Sequence, residues 1–240
     1  MPVNTHAIIR ILQTGNGPNI LNALKAAGIT GTSCADTLIG TSRDDLISGG
    51  AGSDTLHGGD GNDTLNGGAD DDFLFGDGGN DVLIGDTGDD LLDGGAGSDR
   101  LIGNTGNDTY YTDGYDLIIE EVNQGIDKVI ITVPVIFHTL EANVENLEYR
   151  HELDFHGIGN ALANIVQGGS ANDYLEGRDG DDTLTGGLGD DVLDGGNGND
   201  FLFGGRGQNT LIGGTGDDIY LIFNATDVII EQAGEGRDSV

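Results

Sequence analysis

The sequence predicts an all-β solenoid, in which nine-residue units stack so that two units form one 18-residue coil. Three observations predict it: an aspartate recurs every nine residues, an apolar residue follows it two places later, and glycines precede it. A fixed period with one carboxylate and one core residue in each unit is typical of a stacked, metal-bound solenoid. The register positions are Asp36, Asp45, Asp54, Asp63, Asp72, Asp81, Asp90, Asp99 and Asp108, then Asp173, Asp182, Asp191, Asp200, Asn209 and Asp218.

One unit, residues 49–57, shows how the period builds a coil. Its first six residues include Gly49, Gly50 and Gly52, and they should form a turn because glycine adopts positive φ angles without steric cost. Its last three residues should form a minimal strand, with Leu56 facing the core and its two neighbours facing outward. Two such units close one coil and place one strand in each of two opposed sheets.

Five segments follow from this pattern along the chain. Residues 1–30 lack the repeat and are expected to be a cap or a leader, with one short helix over 19–27. Residues 31–110 form a first repeat block and residues 161–220 a second one. Residues 111–160 interrupt the period with a β-rich segment, in which alternation over 129–137 predicts one half-buried strand.

Residues 221–240 begin a second copy of the interrupting segment. Residues 116–120, which read Asp-Leu-Ile-Ile-Glu, are echoed by Asp-Val-Ile-Ile-Glu at 227–231, and Gly125–Val129 is echoed by Gly236–Val240. The chain therefore looks like a piece of a longer array, or an array that ends within a module.

Charge and composition exclude several classes of function. The formal charge is −33, so a nucleic-acid partner is not expected because phosphate is repelled. The single cysteine, Cys34, excludes an internal disulfide. No apolar run reaches the roughly 20 residues of a membrane span, and residues 7–10 are too short an apolar region for a signal peptide. Export, if it occurs, is expected to use a route that does not read the N-terminus.

The carboxylate register favours calcium. Asp54 and Asp72 are one coil apart, and stacked strands lie about 4.8 Å apart. Two unit charges at that spacing repel by about 0.9 kcal/mol in water and about 3.5 kcal/mol at an effective dielectric constant of 20. Cations between the coils remove this repulsion. Carboxylate and turn carbonyl oxygens select a hard cation, and six to eight of them suit Ca²⁺ better than Mg²⁺.

The unit resembles the G-G-x-G-x-D-x-U-x nonapeptide of the repeats-in-toxin (RTX) family. Six units match every fixed position, namely those ending at Asp54, Asp63, Asp99, Asp191, Asp200 and Asp218. Residues 140–147 and 159–164 are similar to the linker between repeat blocks in large secreted RTX proteins. The resemblance implies a right-handed parallel β-roll, here as two blocks joined by a non-repeat β segment, that binds Ca²⁺.

The resemblance also implies the ligands. Each ion is expected between turns one coil apart, held by the two register aspartates and by carbonyls of the glycine-rich turns. The predicted pairs are Asp36/Asp54, Asp54/Asp72, Asp72/Asp90, Asp90/Asp108, Asp45/Asp63, Asp63/Asp81, Asp81/Asp99, Asp173/Asp191, Asp182/Asp200 and Asp200/Asp218, with Asp191/Asn209 as a doubtful addition. The predicted carbonyls lie near Gly49, Gly50, Gly52, Gly58, Gly59, Gly61, Gly94, Gly95, Gly97, Gly186, Gly187, Gly189, Gly195, Gly196 and Gly198.

About ten ions would change the formal charge from −33 to about −13. Cys34 and Arg43 replace a turn glycine before Asp36 and Asp45, so the first coil is expected to bind weakly or not at all.

No catalytic residues are predicted. The sequence His151-Glu152-Leu153-Asp154-Phe155-His156 resembles a zinc protease motif, but the second histidine would have to stand where Phe155 lies. The expected function is a secreted calcium-binding module, exported by type I secretion, that serves as a folding and export aid, spacer or adhesion segment. It is expected to be monomeric, with any polysaccharide or cell-surface partner left open. The alternative is the accessory part of a secreted protease, lipase or polysaccharide-modifying enzyme.

Overall fold

The structure is a computed structural model that describes residues 8–9 and 28–240. The chain divides into an N-terminal unit, residues 1–125, and a C-terminal unit, residues 126–240. All regular secondary structure within the described residues is β-strand. The helix predicted over 19–27, and most of the predicted cap at 1–30, lie outside the described residues.

The N-terminal unit contains twelve strands in the described part of the chain, and they form parallel sheets. In chain order they are β1 (Ile8–Ile9), β2 (Ile29–Thr30), β3 (Thr37–Ile39), β4 (Leu46–Ala51), β5 (Thr55–Asp60), β6 (Thr64–Ala69), β7 (Phe73–Gly78), β8 (Val82–Thr87), β9 (Leu91–Asp93), β10 (Arg100–Thr105), β11 (Thr109–Thr112) and β12 (Leu117–Ile119). Odd-numbered strands stack in one sheet and even-numbered strands in the other. Leu56 therefore pairs with Leu74, one coil of 18 residues away.

The C-terminal unit repeats this arrangement. Its strands are β13 (Lys128–Ile131), β14 (Phe137–Thr139), β15 (Asn146–Tyr149), β16 (His156–Ile158), β17 (Ile165–Gln167), β18 (Tyr174–Asp179), β19 (Thr183–Leu188), β20 (Val192–Asn197), β21 (Phe201–Arg206), β22 (Thr210–Thr215), β23 (Ile219–Leu221) and β24 (Val228–Ile230). Odd-numbered and even-numbered strands again form two separate parallel sheets. Each unit is thus a parallel β-solenoid with about 18 residues in a coil, as the sequence predicts.

The core of each solenoid is a ladder of single apolar side chains. Leu56, Leu74 and Leu92 are fully buried in consecutive odd-numbered strands, as are Leu65 and Leu83 in the even-numbered strands. Each residue packs over the equivalent residue of the next coil because the strands are parallel and in register. The apolar residue two places after each register aspartate is therefore the core residue, as the sequence predicts.

Most repeat strands run for six residues, longer than the three that the turn pattern predicts, whereas β3, β9, β17 and β23 have three. Strand β5 runs from Thr55 to Asp60 and includes the Gly58-Gly59 pair. Gly59 pairs with Asp77 in the ladder, so the pair is part of the sheet rather than of the turn. Gly58 is buried, and a Cβ there would lie 2.5 Å from Oδ2 of Asp63 and 2.7 Å from the carbonyl oxygen of Gly76. Because these glycines have no side chains, the strand continues through them, and only about three residues are left to form the turn.

The interrupting segment continues the solenoid with altered coils. Strands β15 and β17 pair in register with each other, and β17 pairs with the repeat strand β19. The single strand predicted over 129–137 is wrong, because β13 ends at Ile131 and β14 begins at Phe137. Pro134 stands between them, and proline lacks the N–H that a ladder requires. The N–H of Val135 instead donates to the carbonyl of Val133 at 2.9 Å, which closes a turn.

Candidate metal centre

The register aspartates stack along the solenoid through direct backbone contacts. Where another register aspartate stands one coil later, the backbone N–H of the earlier aspartate donates to its Oδ1, for example from Asp54 to Asp72 at 2.7 Å. The same bond recurs from Asp63 to Asp81 at 2.6 Å and from Asp182 to Asp200 at 2.8 Å. One carboxylate oxygen of each residue is therefore used to join consecutive coils.

The other oxygen, Oδ2, has no hydrogen-bond donor in most coils. Ten register aspartates in the described part of the chain have an Oδ2 atom that is buried and has no donor. Their side chains are at most 3% exposed, so water does not supply the missing bond from the surface. A buried carboxylate oxygen without a partner costs free energy, which a bound cation would recover. They are Asp54, Asp63, Asp72, Asp81, Asp90, Asp99, Asp182, Asp191, Asp200 and Asp218.

Glycine carbonyls lie beside these oxygens. A Cβ on Gly49 would overlap Oδ2 of Asp54 and lie 2.7 Å from the carbonyl oxygen of Gly67, one coil later. The same holds at Gly186, which faces Asp191. The first glycine of each turn thus leaves a space lined by carboxylate and carbonyl oxygens. This all-oxygen donor set fits Ca²⁺, which coordinates six to eight oxygens.

Burial makes the charged form of these carboxylates unfavourable in the absence of a cation. Burial raises the pKa of Asp63 to about 6 and that of Asp72 to about 7. Each carboxylate also accepts a hydrogen bond from the backbone N–H of the aspartate one coil earlier, which lowers the pKa by less than burial raises it. Neighbouring carboxylates raise the pKa values further. Burial is also the largest cause for Asp90 and Asp182, at about 6, and for Asp191 and Asp200, at about 7.

The residue four places before each register aspartate, called the second turn residue below although it lies at the end of a strand in most coils, determines whether Oδ2 receives a donor. Before each of the ten donor-free aspartates this residue has a positive φ angle, as Gly50 does at 114°. Asp77, Asp86 and Arg178 occupy this position in other turns and adopt φ angles of 69°, 77° and 84°. A positive φ at this position accompanies a donor-free Oδ2 in all ten cases, whatever the residue type.

Asp36 and Asp45 belong to a different kind of turn. The backbone N–H of Thr32 donates to Oδ2 of Asp36 at 2.6 Å, and the Thr32 hydroxyl donates to the same oxygen at 2.8 Å. Thr41 makes the same two bonds to Asp45, at 2.7 and 2.8 Å. In these two turns the protein itself supplies the partners that the ten donor-free aspartates lack.

Two positions of the second block also differ. Oδ2 of Asp173 accepts the N–H of Gly169 at 2.7 Å, and Gly169 does not have a positive φ. At Asn209 the Oδ1 atom accepts the N–H of Asp191 at 3.0 Å, while Nδ2 lies against Gly204 and donates to Asp227 at 3.2 Å. An amide nitrogen is a donor and does not ligate a cation. Asn209 therefore lacks the free oxygen that its neighbours present.

The structure adds acidic residues that the nine-residue register misses. Asp116 accepts the N–H of Asp99 through Oδ1 at 3.0 Å, and Glu145 accepts the N–H of Asp127 at 2.7 Å. Asp227 and Asp238 accept the N–H groups of Asn209 and Asp218, at 3.1 and 3.0 Å. These residues continue the stacking where the period of nine is lost. The echo of residues 116–120 at 227–231 is the sequence signal that marks two of them.

The four histidines in the described part of the chain do not join a group of metal-ligating side chains. His156 Nε2 lies 2.7 Å from Oε1 of Glu176, and His138 Nε2 lies 3.4 Å from Oε2 of Glu141. No group of three metal-ligating side chains in the described residues includes a histidine.

The fold and the site define a class: a parallel β-roll of calcium-binding repeats. A family model described as the RTX calcium-binding nonapeptide repeat matches residues 30–65, 39–74, 49–83, 57–92, 75–110, 158–193 and 194–220. These segments cover more than half of the chain. The chain belongs to the RTX calcium-binding repeat family, as the sequence predicts. No curated protein matches the chain.

Within residues 8–9 and 28–240, no helix has the length and apolar character needed to cross a membrane.

Proposed function

We propose that this protein is a non-catalytic extracellular module whose β-roll folds when Ca²⁺ binds between successive turns. The observation that carries the proposal is the set of ten buried Oδ2 atoms without a donor, each beside a glycine-rich turn. Without a partner these oxygens destabilise the roll. One bound Ca²⁺ ion would be a shared partner for several of them. Metal binding then contributes directly to the free energy of folding.

The best-supported ion sites are those in which both register aspartates have a donor-free Oδ2. Among the predicted pairs these are Asp54/Asp72, Asp72/Asp90, Asp63/Asp81, Asp81/Asp99, Asp182/Asp200 and Asp200/Asp218. We propose weaker binding at Asp36/Asp54, Asp45/Asp63, Asp173/Asp191 and Asp191/Asn209, because one partner in each pair already has its oxygen or nitrogen bonded within the protein. The proposed total remains about ten ions, with Asp90/Asp108 included.

We also propose secretion, by a type I route. RTX repeat proteins are typically secreted. With a formal charge of −33, a chain that needs millimolar Ca²⁺ to fold stays unfolded in a cytosol with far less free Ca²⁺. It can then pass a narrow channel and fold outside the cell. The module would serve there as a folding and export aid, with spacer and adhesion roles open to the protein that carries it.

Calcium-dependent folding is tested by circular dichroism on the 240-residue chain after removal of divalent ions. We expect a spectrum dominated by disorder that gains β signal as Ca²⁺ approaches the roughly 0.1–1 mM range of extracellular sites. Mg²⁺ should substitute poorly because it demands near-ideal octahedral geometry. A β spectrum that is unchanged by chelator would overturn the proposal.

Export is tested by locating the protein that carries this chain. We expect calcium-loaded, folded protein in the medium and protease-sensitive protein in the cytosol. Folded, calcium-loaded protein in the cytosol, with none in the medium, would contradict the export proposal without affecting calcium-dependent folding.

A further inference from the structure

Three carboxylates of the C-terminal unit meet outside the nonapeptide pairing. Asp218, Glu231 and Asp238 each present one carboxylate oxygen, and these oxygens all lie within 4.8 Å of one another. Only Asp218 belongs to the nine-residue register. Glu231 and Asp238 come from the segment that echoes the earlier interruption, and the sequence pattern assigns them no role.

Asp218 directs a donor-free oxygen into this cluster. Its side chain is 1% exposed, its Oδ1 accepts the N–H of Asp200 at 2.7 Å, and its Oδ2 has no donor. The Tyr220 hydroxyl lies beside this Oδ2, since a Cβ on Gly213 would overlap both atoms. The same hydroxyl donates to Oε1 of Glu231. Tyr220 therefore holds the glutamate carboxylate next to the unsatisfied oxygen of Asp218.

The backbone fixes the third carboxylate. Oδ1 of Asp238 accepts the N–H of Asp218 at 3.0 Å, as the next register aspartate would in a full repeat. None of the three carboxylates forms an ion pair with a lysine or arginine in the described part of the chain. Three negative charges at this separation therefore have no compensating charge from the protein.

The same framework recurs in the N-terminal unit. The Tyr110 hydroxyl donates to Oε1 of Glu120, and a Cβ on Gly103 would overlap both this hydroxyl and Oδ2 of Asp108. The N–H of Gly103 also donates to the Tyr110 oxygen at 2.8 Å. Two separate segments with the Tyr-to-Glu spacing of 10 or 11 residues thus place a glutamate beside the last register aspartate.

We propose that Asp218, Glu231 and Asp238 bind one Ca²⁺ at the end of the second repeat block, beyond the Asp200/Asp218 pair, with which the site would share Asp218, and with Tyr220 as a positioning residue. Carboxylate oxygens alone select a hard cation, and a glutamate can supply both oxygens to Ca²⁺. Two of the three side chains are exposed, so the site exchanges with solvent and should have the affinity range of extracellular modules. Binding would couple the folding of residues 221–240 to calcium.

Hydrogen exchange on the full 240-residue chain, with Ca²⁺ as the probe, tests this site. The readout is the calcium concentration that half-protects a peptide within 219–240, compared with one within 183–206 of the same sample. We expect Glu231→Gln and Asp238→Asn to raise the midpoint for 219–240 by about tenfold, because ligand charge sets the affinity of oxygen sites. The midpoint for 183–206 should stay within about twofold of wild type.

Two controls separate the site from other effects. Glu152→Gln removes the same charge at an exposed position and should leave both midpoints unchanged. Tyr220→Phe removes the positioning hydroxyl but no ligand, so it should shift the 219–240 midpoint by less than about threefold.

Three results would overturn the inference. They are no calcium-dependent protection of 219–240 in wild type, no effect of Glu231→Gln and Asp238→Asn, or a Tyr220→Phe effect as large as that of Glu231→Gln. In the last case the hydrogen bond itself, rather than a cation, orders the segment. If one of these results is found while the peptide within 183–206 keeps its calcium-dependent protection, the proposed function still stands. The reason is that the 183–206 peptide reports on the repeat sites independently of 219–240.

Discussion

The first coil and the coils that follow it share one register but satisfy their aspartates in different ways. Asp36 and Asp45 receive two hydrogen bonds each from Thr32 and Thr41. From Asp54 onward to Asp99, no protein group donates to the equivalent oxygen. The first coil is therefore complete without an ion, whereas each later coil leaves an oxygen that calcium can satisfy.

One backbone angle accounts for this difference. In the first coil the second turn residue is threonine without a positive φ, and its N–H and hydroxyl both point to the carboxylate. In the later coils this residue has a positive φ, which directs its N–H elsewhere. A turn that provides its own donors and a turn that needs a cation are thus two conformations of one repeat. The predictions below test this comparison, from the largest expected effect to the smallest.

The largest effect should come from Asp81→Asn compared with Asp45→Asn. Asp81 lies in the middle of its column, bonded to Asp63 on one side and to Asp99 on the other, so its loss should damage two proposed sites. We expect the calcium midpoint of folding to rise by about tenfold for Asp81→Asn, and by less than about threefold for Asp45→Asn. Calcium titration followed by circular dichroism measures both. Equal midpoints would contradict the distinction between the two kinds of turn.

Protonation of the buried carboxylates should stabilise the fold in part when calcium is absent. Burial raises the pKa of Asp72 and Asp200 from the usual 3.8 to about 7, so the folded state binds protons more tightly than the unfolded state. Stability from these groups is complete below about pH 4 and is lost as the pH rises toward 7. Without calcium, we expect the β signal to increase as the pH falls from 7 to 4.

Protons should also compete with calcium for the same oxygens. The calcium midpoint should therefore rise as the pH falls from 7 to 5. Titrations in metal-free buffer at each pH measure both effects. A calcium-free chain that loses β signal on acidification would contradict this assignment of the buried carboxylates.

A smaller effect is expected from Thr41→Gly, which removes the hydroxyl donor to Asp45 and permits a positive φ. We expect a loss of about 1–2 kcal/mol in the free energy of unfolding at low calcium, from the lost bond and the added chain entropy. Saturating calcium should recover part of that loss if the freed oxygen binds the ion. Denaturant unfolding at two calcium concentrations measures this. Thr41→Ser, which retains both donors, is the control and should behave as wild type.

The smallest effect should come from Arg178→Gly. Arg178 stands at the second turn position with a φ of 84°, a conformation that costs a non-glycine residue roughly 1 kcal/mol. At saturating calcium the glycine variant should gain about that much stability. Arg206→Gly is the matched control, because Arg206 ends strand β21 without a positive φ and should lose about 0.5–1 kcal/mol. Destabilisation of both variants would show that the angle at position 178 is not strained.

Much of the fold could be predicted from the sequence because it is periodic. The register places Leu56 over Leu74 and Asp54 over Asp72, since identical units stack with identical neighbours. The division into five segments stays a prediction, as do the individual ligands. Strand lengths could not be read in the same way: whether Gly58 and Gly59 turn or extend depends on the neighbouring coil that pairs with them. Pro134 was the signal that the expected long strand at 129–137 had to end.

The sequence by itself determined the period, the core residue of each unit, the carboxylate column and the family, because these are properties of the order of residues. The tertiary structure decided which carboxylate oxygens have donors, because that depends on the φ angle of the second turn residue and on the coil beside it. It also brought Glu231 and Asp238 to Asp218, across 13 and 20 residues of chain with no shared period. Contacts between residues outside the repeat follow from the path of the chain, which no local spacing encodes.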